Sequence, residues 1–459
     1  MNKRWISFEG RTWSCLALPW AAAFTLHCPA AVSGADLPGA SAVPSAMVIT
    51  APLEYEARAR PFLFRNIPVE CRTNSFSKEP ARLSGHVIRG IFKFGPNPAN
   101  ALPFVWHTGA RKLFLDLHRN QDLTDDPDGV ISGELTGPQF GTIYHQMFTN
   151  ICLSFPASSA GAPMVMDLDF FQNGDSGHLL VGALVHSFWQ GKITVAGNDW
   201  QVGLVQNLSD RPGSFQAGQL LLRPWAEQDK WFTAASEAPE DTEAESWTVK
   251  NLVVRASHAV AFTPKVFLEG RAWQLDWSAE PRSREEKFAL RLTELPTTLG
   301  ELRLTGSFIH RLVLTGGPYL VILNQPAASV KIPPGRYQPY RLWLKQGEAE
   351  AYFEYGLPQT GKANVSQPET WAQMPVATPP PPEQAVTVDE QRAAVLAVGG
   401  PLTNCVSATR QGRNLLLRYQ LLGAGGGQYW LAGGGDRLPP RFDVTKSGKK
   451  VGAGQFEFG

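Results

Sequence analysis

The sequence predicts an all-β protein of several antiparallel β-sandwich units, immunoglobulin-like or jelly-roll-like, with few short helices. Three observations support this prediction. Short apolar or alternating runs, such as residues 86–94 and 164–171, recur between turn residues. Glycine (43 residues) and proline (36 residues) are frequent in the 459-residue chain, as expected where many turns connect short strands. No segment keeps the apolar periodicity of a helix over several turns.

Turn signals between apolar runs identify individual strand pairs. Residues 193–205 predict a hairpin with a Gly-Asn turn at 197–198, and residues 266–277 predict a second hairpin. A strand at 414–422 precedes the glycine-rich segment 423–427. Because no helix follows to present amide groups to a phosphate, this segment is interpreted as a hairpin loop and not as a dinucleotide-binding turn.

The N-terminus predicts an export signal at residues 1–35. Basic residues precede an apolar core at 15–26, and Ser33-Gly34-Ala35 has the small residues of a cleavage site. The core is too short and too interrupted by prolines for a stable transmembrane helix. We therefore expect cleavage and a periplasmic, cell-surface or extracellular protein without a transmembrane span, with a retained anchor as the alternative.

Composition shifts divide the chain into three β-rich units. One connecting segment is acidic and poor in apolar residues, and another is rich in prolines, which hold a linker extended. The predicted organisation is a signal peptide (1–35), a flexible leader (36–48), an N-terminal β-rich domain of one or two folding units (49–235), an acidic linker (236–246), a second β-sandwich domain (247–366), a proline-rich linker (367–386) and a small C-terminal β domain (387–459).

Charge and cysteine content argue against a nucleic-acid partner and against a cysteine zinc site. The 42 basic and 41 acidic residues form no basic stripe, so the sequence gives no electrostatic case for a nucleic-acid partner. Beyond residue 35 the cysteines are Cys71, Cys152 and Cys405, and they lack the spacing of a zinc site. A Cys71–Cys152 disulfide and free thiols both remain open.

An acidic loop at residues 115–129 is the strongest chemical feature of the sequence. Oxygen-bearing side chains recur at alternate positions there, as hard cations such as calcium require. The loop resembles the calcium loops of EF-hand and dockerin motifs. That resemblance implies calcium as the cofactor, with ligands at Asp116, Asn120, Asp122, Thr124, Asp126 and Asp128.

Three positions depart from such a loop. His118 offers nitrogen where calcium prefers oxygen, Gln121 replaces the glycine of the sharp turn, and Pro127 stands where a glutamate would close the shell. The alternative interpretation is an Asx-rich loop that is satisfied by its own backbone hydrogen bonds.

The regions around the loop resemble a group of large secreted bacterial multi-domain β-sandwich proteins of uncharacterised activity. The resemblance is carried by the acidic loop after the strand 113–117, the hairpin 189–200, and the segments 398–402 and 454–459. It implies an exported, envelope-associated β protein.

The sequence does not identify catalytic residues. The segment Gly174-Asp175-Ser176-Gly177 is similar to a serine-protease motif, but no partner base accompanies it, and a β-turn explains the same residues. Asp167 and Asp169 project from one face of a predicted strand, either as paired acids of a glycoside hydrolase or as a solvated face. His178 and His186 are placed to meet across a hairpin.

The predicted function is a non-catalytic binding or structural protein of the cell envelope or extracellular space, stabilised by calcium. The alternative is a secreted polysaccharide-acting hydrolase or its carbohydrate-binding accessory. The ligand is an unknown envelope or extracellular molecule, with a glycan as one candidate. Four tryptophans are candidates either for stacking on sugars or for packing in the core, namely Trp189, Trp200, Trp273 and Trp277.

Overall fold

The structure is a computed structural model. It describes residues 46–57, 63–81, 83, 85–135, 143–156, 162–173, 179–208, 211–216, 218–227, 259–354, 385–412, 414–432, 441–446 and 449–455. These residues all belong to the unit Ala46–Gly459. The predicted signal peptide, the acidic linker, most of the leader and of the proline-rich linker, the Gly174–Gly177 motif and His178 lie outside the described residues.

The all-β prediction is confirmed, since the described residues form 31 strands, almost all in antiparallel pairs. The helical segments within the described ranges are short 3-10 turns, such as Pro98–Asn100 and Pro127–Gly129. No described helix is long and apolar enough to cross a membrane.

The first fourteen strands precede the segment that carries the predicted acidic linker. They are β1 (Val48–Ala57), β2 (Leu63–Asn66), β3 (Val69–Arg72), β4 (Val87–Phe92), β5 (Leu102–His107), β6 (Lys112–Leu115), β7 (Val130–Ser132), β8 (Glu134–Leu135), β9 (Ile143–Leu153), β10 (Met164–Asn173), β11 (Leu179–Val185), β12 (Ser187–Val195), β13 (Asn198–Val205) and β14 (Gln219–Pro224).

The remaining strands follow that segment. They are β15 (Ala259–Ala261), β16 (Lys265–Leu268), β17 (Arg271–Asp276), β18 (Phe288–Leu295), β19 (Gly300–Leu304), β20 (Ile309–Thr315), β21 (Leu320–Asn324), β22 (Ser329–Ile332), β23 (Gly335–Gln346), β24 (Ala349–Glu354), β25 (Val386–Val388), β26 (Ala394–Leu396), β27 (Thr403–Gln411), β28 (Asn414–Leu422), β29 (Gln428–Ala432), β30 (Arg441–Lys446) and β31 (Lys449–Gln455).

Two five-stranded sheets form an N-terminal sandwich. Their strand orders are β3-β4-β5-β6-β7 and β2-β11-β10-β9-β8. Side chains of β10 point alternately to the two faces of its sheet, and this places the apolar ones between the sheets. The residues buried in the shared core are Met164, Met166, Leu168 and Phe170. Asp167 and Asp169 lie on the opposite face. The two sheets therefore enclose one aromatic-rich apolar core.

A long sheet connects the regions that the sequence analysis assigned to three domains. Residues 48–53 of β1 pair with β18, whereas residues 54–57 pair with β12. Strand β24 pairs with β29, β23 with β25, and β19 with β26, so regions on both sides of residues 367–386 share sheets. The β19–β26 and β16–β21 pairs are parallel.

The hairpin predicted at residues 193–205 is present as β12 and β13, but its turn is Ala196-Gly197 and not Gly-Asn. Both turn residues have positive φ, 50° and 84°, and Asn198 already pairs with Val195. Two consecutive left-handed residues match the right-handed twist of a hairpin. The predicted turn was therefore one residue too late.

Two alternatives that the sequence left open are decided by the structure, in favour of core packing for three tryptophans and of free thiols for two cysteines. Trp189, Trp200 and Trp273 are fully buried in the core between the long-sheet strands, so these rings cannot form an exposed sugar platform. Cys71 and Cys152 are exposed free thiols on strands of different sheets, so the disulfide is absent from the part of the chain that the structure describes.

Candidate functional site

The acidic loop lies between β6 and β7 and covers the outer face of the sheet β3–β7. Its Leu123 is buried with Phe76, Val105 and Phe114 in a small apolar cluster. Backbone hydrogen bonds join the loop to the segment around Lys78, since Lys78 donates to the Gln121 carbonyl and accepts from Leu123. The loop is thus fixed to the sheet by apolar burial and by backbone pairing.

Asp116 organises the first half of the loop. Its side chain is fully buried (0% exposed) and accepts backbone N–H groups from Asn120 at 3.0 Å and from Gln121 at 2.6 Å. Burial raises the pKa of Asp116, and the two N–H groups act in the opposite direction. Gln121 has φ 64°, so it adopts the left-handed conformation that a glycine was expected to supply.

Replacing Asp116 with alanine is expected to destabilise the protein by about 2 kcal/mol, because two backbone N–H donors lose their buried acceptor. Urea unfolding monitored by tryptophan fluorescence measures the change. The matched variant Asp116→Asn retains one acceptor oxygen and should lose about half as much. An alanine variant that unfolds at the native urea concentration would rule out this role for the carboxylate.

Asp122, Asn120 and Thr124 form a second group in the loop. The Lys78 ammonium lies 2.5 Å from Asp122 Oδ2, and Asp122 Oδ1 accepts the N–H and hydroxyl of Thr124. The hydrogen bond from Lys78, followed by that from Thr124, lowers the pKa of Asp122 to about 2. Asn120 Oδ1 accepts the N–H of Asp122 at 2.8 Å. These side chains hold one another in place.

A third group brings a histidine and two carboxylates together. His118 Nδ1 lies 2.6 Å from Asp126 Oδ1 and 3.9 Å from Asp125 Oδ1. Asp126 is buried, whereas His118 and Asp125 are exposed. One ligand atom from each of the three side chains lies within 4.8 Å of the other two, which makes this the group of described residues best placed to hold a cation.

The arrangement differs from the ligand set that the sequence implied. Asp126 belongs to the convergent group, but Asp116 and Asp122 turn their oxygens towards donors of the loop and of Lys78. Asp128 is exposed on the 3-10 turn Pro127–Gly129. Calcium takes six to eight oxygen ligands, so at Asp125 and Asp126 it would need backbone carbonyls and water as well. The imidazole nitrogen also suits zinc.

Asp167 and Asp169 lie on one face of β10, as predicted, but each contacts a histidine. Asp169 Oδ1 lies 2.7 Å from His145 Nε2, and Asp167 Oδ2 lies 2.8 Å from His186 Nε2. Asp169 is only 2% exposed. The interpretation as a simple solvated face is therefore wrong for Asp169, because the carboxylate is buried beside an imidazole.

Sequence reasoning missed a buried ion cluster at Glu227. His310 Nε2 lies 2.9 Å from one Glu227 oxygen, and Arg311 Nη2 lies 2.7 Å from the other. Although burial tends to raise it, the pKa of Glu227 is held at about 2 by the His310 hydrogen bond and the charge of Arg311. Burial lowers the pKa of Arg311. The only sequence signal for this cluster was the pair His310-Arg311 near the start of the apolar strand β20.

Comparison with known proteins identifies no relative, since no protein-family model, curated protein or solved structure matches the chain. The resemblance to secreted bacterial β-sandwich proteins stays a prediction. Functional inference therefore rests on the residues and contacts of this chain.

Proposed function

We propose that the chain is an exported, non-catalytic binding or structural protein of the cell envelope or extracellular space. Its acidic loop is proposed to be a structural cap stabilised by calcium, and its ligand to be a glycan. The signal-like residues 1–35 support export. The extensive antiparallel sheets support a rigid scaffold.

One observation carries the non-catalytic role, namely that the buried carboxylates of the acidic loop have partners inside the protein. Asp116 is fully buried and serves backbone N–H groups, while Asp122 contacts Lys78 and Thr124. A catalytic carboxylate must reach the substrate within hydrogen-bond distance. Carboxylates that close their own loop support a structural role.

A polysaccharide hydrolase is the second candidate, and the position of Asp167 and Asp169 favours it. Two carboxylates on one face of a strand, each beside an imidazole, have the residue types required for acid–base chemistry on a glycosidic bond. This candidate requires substrate access to Asp169, which is buried.

Incubation of the purified protein with insoluble peptidoglycan, cellulose and chitin separates the two candidates. We expect the protein to co-sediment with at least one polymer while no reducing ends appear in the supernatant. Reducing ends that disappear in Asp167→Asn and Asp169→Asn, but persist in the half-buried control Asp276→Asn, would replace the non-catalytic proposal with the hydrolase.

A further inference from the structure

A groove of about 380 Å³ lies at one end of the β20–β21 pair. Phe308 directly precedes β20, and Gln325 directly follows β21, so the two antiparallel strands bring both residues to the same end of the sheet. Ser307, His310 and Lys345 also line the groove. Its volume is within the range of small-molecule sites.

Phe308 and Gln325 both have left-handed backbone conformations, with φ values of 62° and 45°. This conformation is unfavourable for a residue with a side chain, because its Cβ comes too close to the following carbonyl oxygen. Phe308 is also 43% exposed, although most large apolar residues of the described region are buried. Backbone strain at a groove that also exposes an aromatic residue supports a role in binding, because strained residues cluster at ligand sites.

The backbone around the groove is already engaged. Ser307 exchanges two hydrogen bonds with Gly400, the Phe308 carbonyl accepts the N–H of Lys345, and the Gln325 N–H donates to the His310 carbonyl. An added peptide strand would need unpaired backbone N–H and C=O groups to bind. Few such groups remain at these residues of the groove, because they already bond to one another and to neighbouring strands. Recognition would therefore use side chains.

The side chains of the groove suit a neutral ligand. The Lys345 ammonium lies 3.0 Å from Glu350, so an acidic partner already balances its charge. An exposed aromatic ring beside hydroxyl, amide and ammonium groups offers one apolar face and several hydrogen-bonding groups. Sugar rings present the complementary combination of C–H faces and hydroxyls.

We propose that this groove binds a neutral saccharide, with a sugar ring on the face of Phe308 and hydroxyls hydrogen-bonded to Ser307, Gln325 and Lys345. The proposal deepens the binding function proposed above and rests on it.

Calorimetric titration with cellohexaose, maltohexaose and the hexamer of N-acetylglucosamine tests the groove. We expect the full-length protein to bind at least one of them. Phe308→Ala should weaken that binding about tenfold, as expected for the loss of one aromatic contact. Val406→Ala, which shortens an exposed apolar side chain on β27, is the control and should bind like the native protein.

Phe308→Gly separates binding from folding. Glycine relieves the left-handed strain, so the melting temperature should stay equal or rise while saccharide affinity falls.

Absence of binding to all three hexamers at millimolar concentration overturns the groove proposal. Native affinity in Phe308→Ala also overturns it but leaves a binding function elsewhere on the chain intact. Release of reducing ends in the polymer assay contradicts the non-catalytic function and not the groove.

Discussion

Replacing Phe170 with alanine is expected to cost about 3–5 kcal/mol of folding free energy. Phe170 lies on β10 at the centre of the N-terminal sandwich and is fully buried. Its ring contacts rings from both sheets at centroid distances of 5.1–5.8 Å, namely Phe92, Phe104, Trp106 and Phe148. Alanine would leave a cavity that rigid strands on both sides cannot close.

The neighbouring residue supplies a matched control. Phe171 lies on the opposite face of β10, is half-buried and packs edge-on against His145 at 6.1 Å. Phe171→Ala removes the same atoms from the same strand and should cost less than half as much. Urea denaturation of both variants measures the difference, and equal losses would show that β10 does not bury Phe170 between the sheets.

Replacing Glu227 with alanine is expected to cost about 3 kcal/mol, because breaking a buried ion pair is strongly destabilising. The substitution removes the carboxylate that faces the guanidinium of Arg311, a side chain that is only 2% exposed. The control is Glu301→Ala, which removes a glutamate from an exposed contact with Arg303 and should change stability by less than about 0.5 kcal/mol. Similar losses in the two variants would contradict the importance of the buried cluster.

The same carboxylate gives a pH dependence with a defined sign. The pKa of Glu227 is about 2 in the folded protein, below its ordinary value of 4.5. Its contribution to stability is therefore complete above pH 4.5 and is lost as the pH falls towards 2. Unfolding free energies measured between pH 5 and pH 2 should decrease more for the native protein than for Glu227→Gln. Parallel curves would show that Glu227 is not held ionised by its partners.

The local parts of the fold were accessible from the sequence. The alternation of residues 164–171 gave the two faces of β10, and the apolar runs at 193–205 gave a hairpin, because side-chain period and turn chemistry are local properties. The pairing of β1 with both β12 and β18 was not accessible. Such pairing depends on which distant strand completes the core, and composition-based domain boundaries do not contain that information.

The candidate sites divide in the same way. The acidic loop was recognisable because its residues are contiguous. The departure at His118 marked a nitrogen ligand of the convergent group, whereas Gln121 keeps the left-handed backbone of the glycine that it replaces. The Glu227 cluster joins residues more than 80 positions apart, so no spacing rule finds it. The Phe308 groove is lined by residues from separate segments, around positions 308, 325 and 345, which only the folded chain brings together.

The melting temperature in millimolar calcium and in EDTA tests the central claim, a calcium-stabilised structural cap, most directly. Calcium at about 100 times its dissociation constant would add about 2.7 kcal/mol to stability. We expect the native protein to melt several degrees higher in calcium, the difference to vanish in Asp126→Ala, and the control Asp276→Ala to retain it. Identical melting temperatures of the native protein in calcium and in EDTA would contradict the claim, and a rise with zinc alone would assign the loop to a different metal.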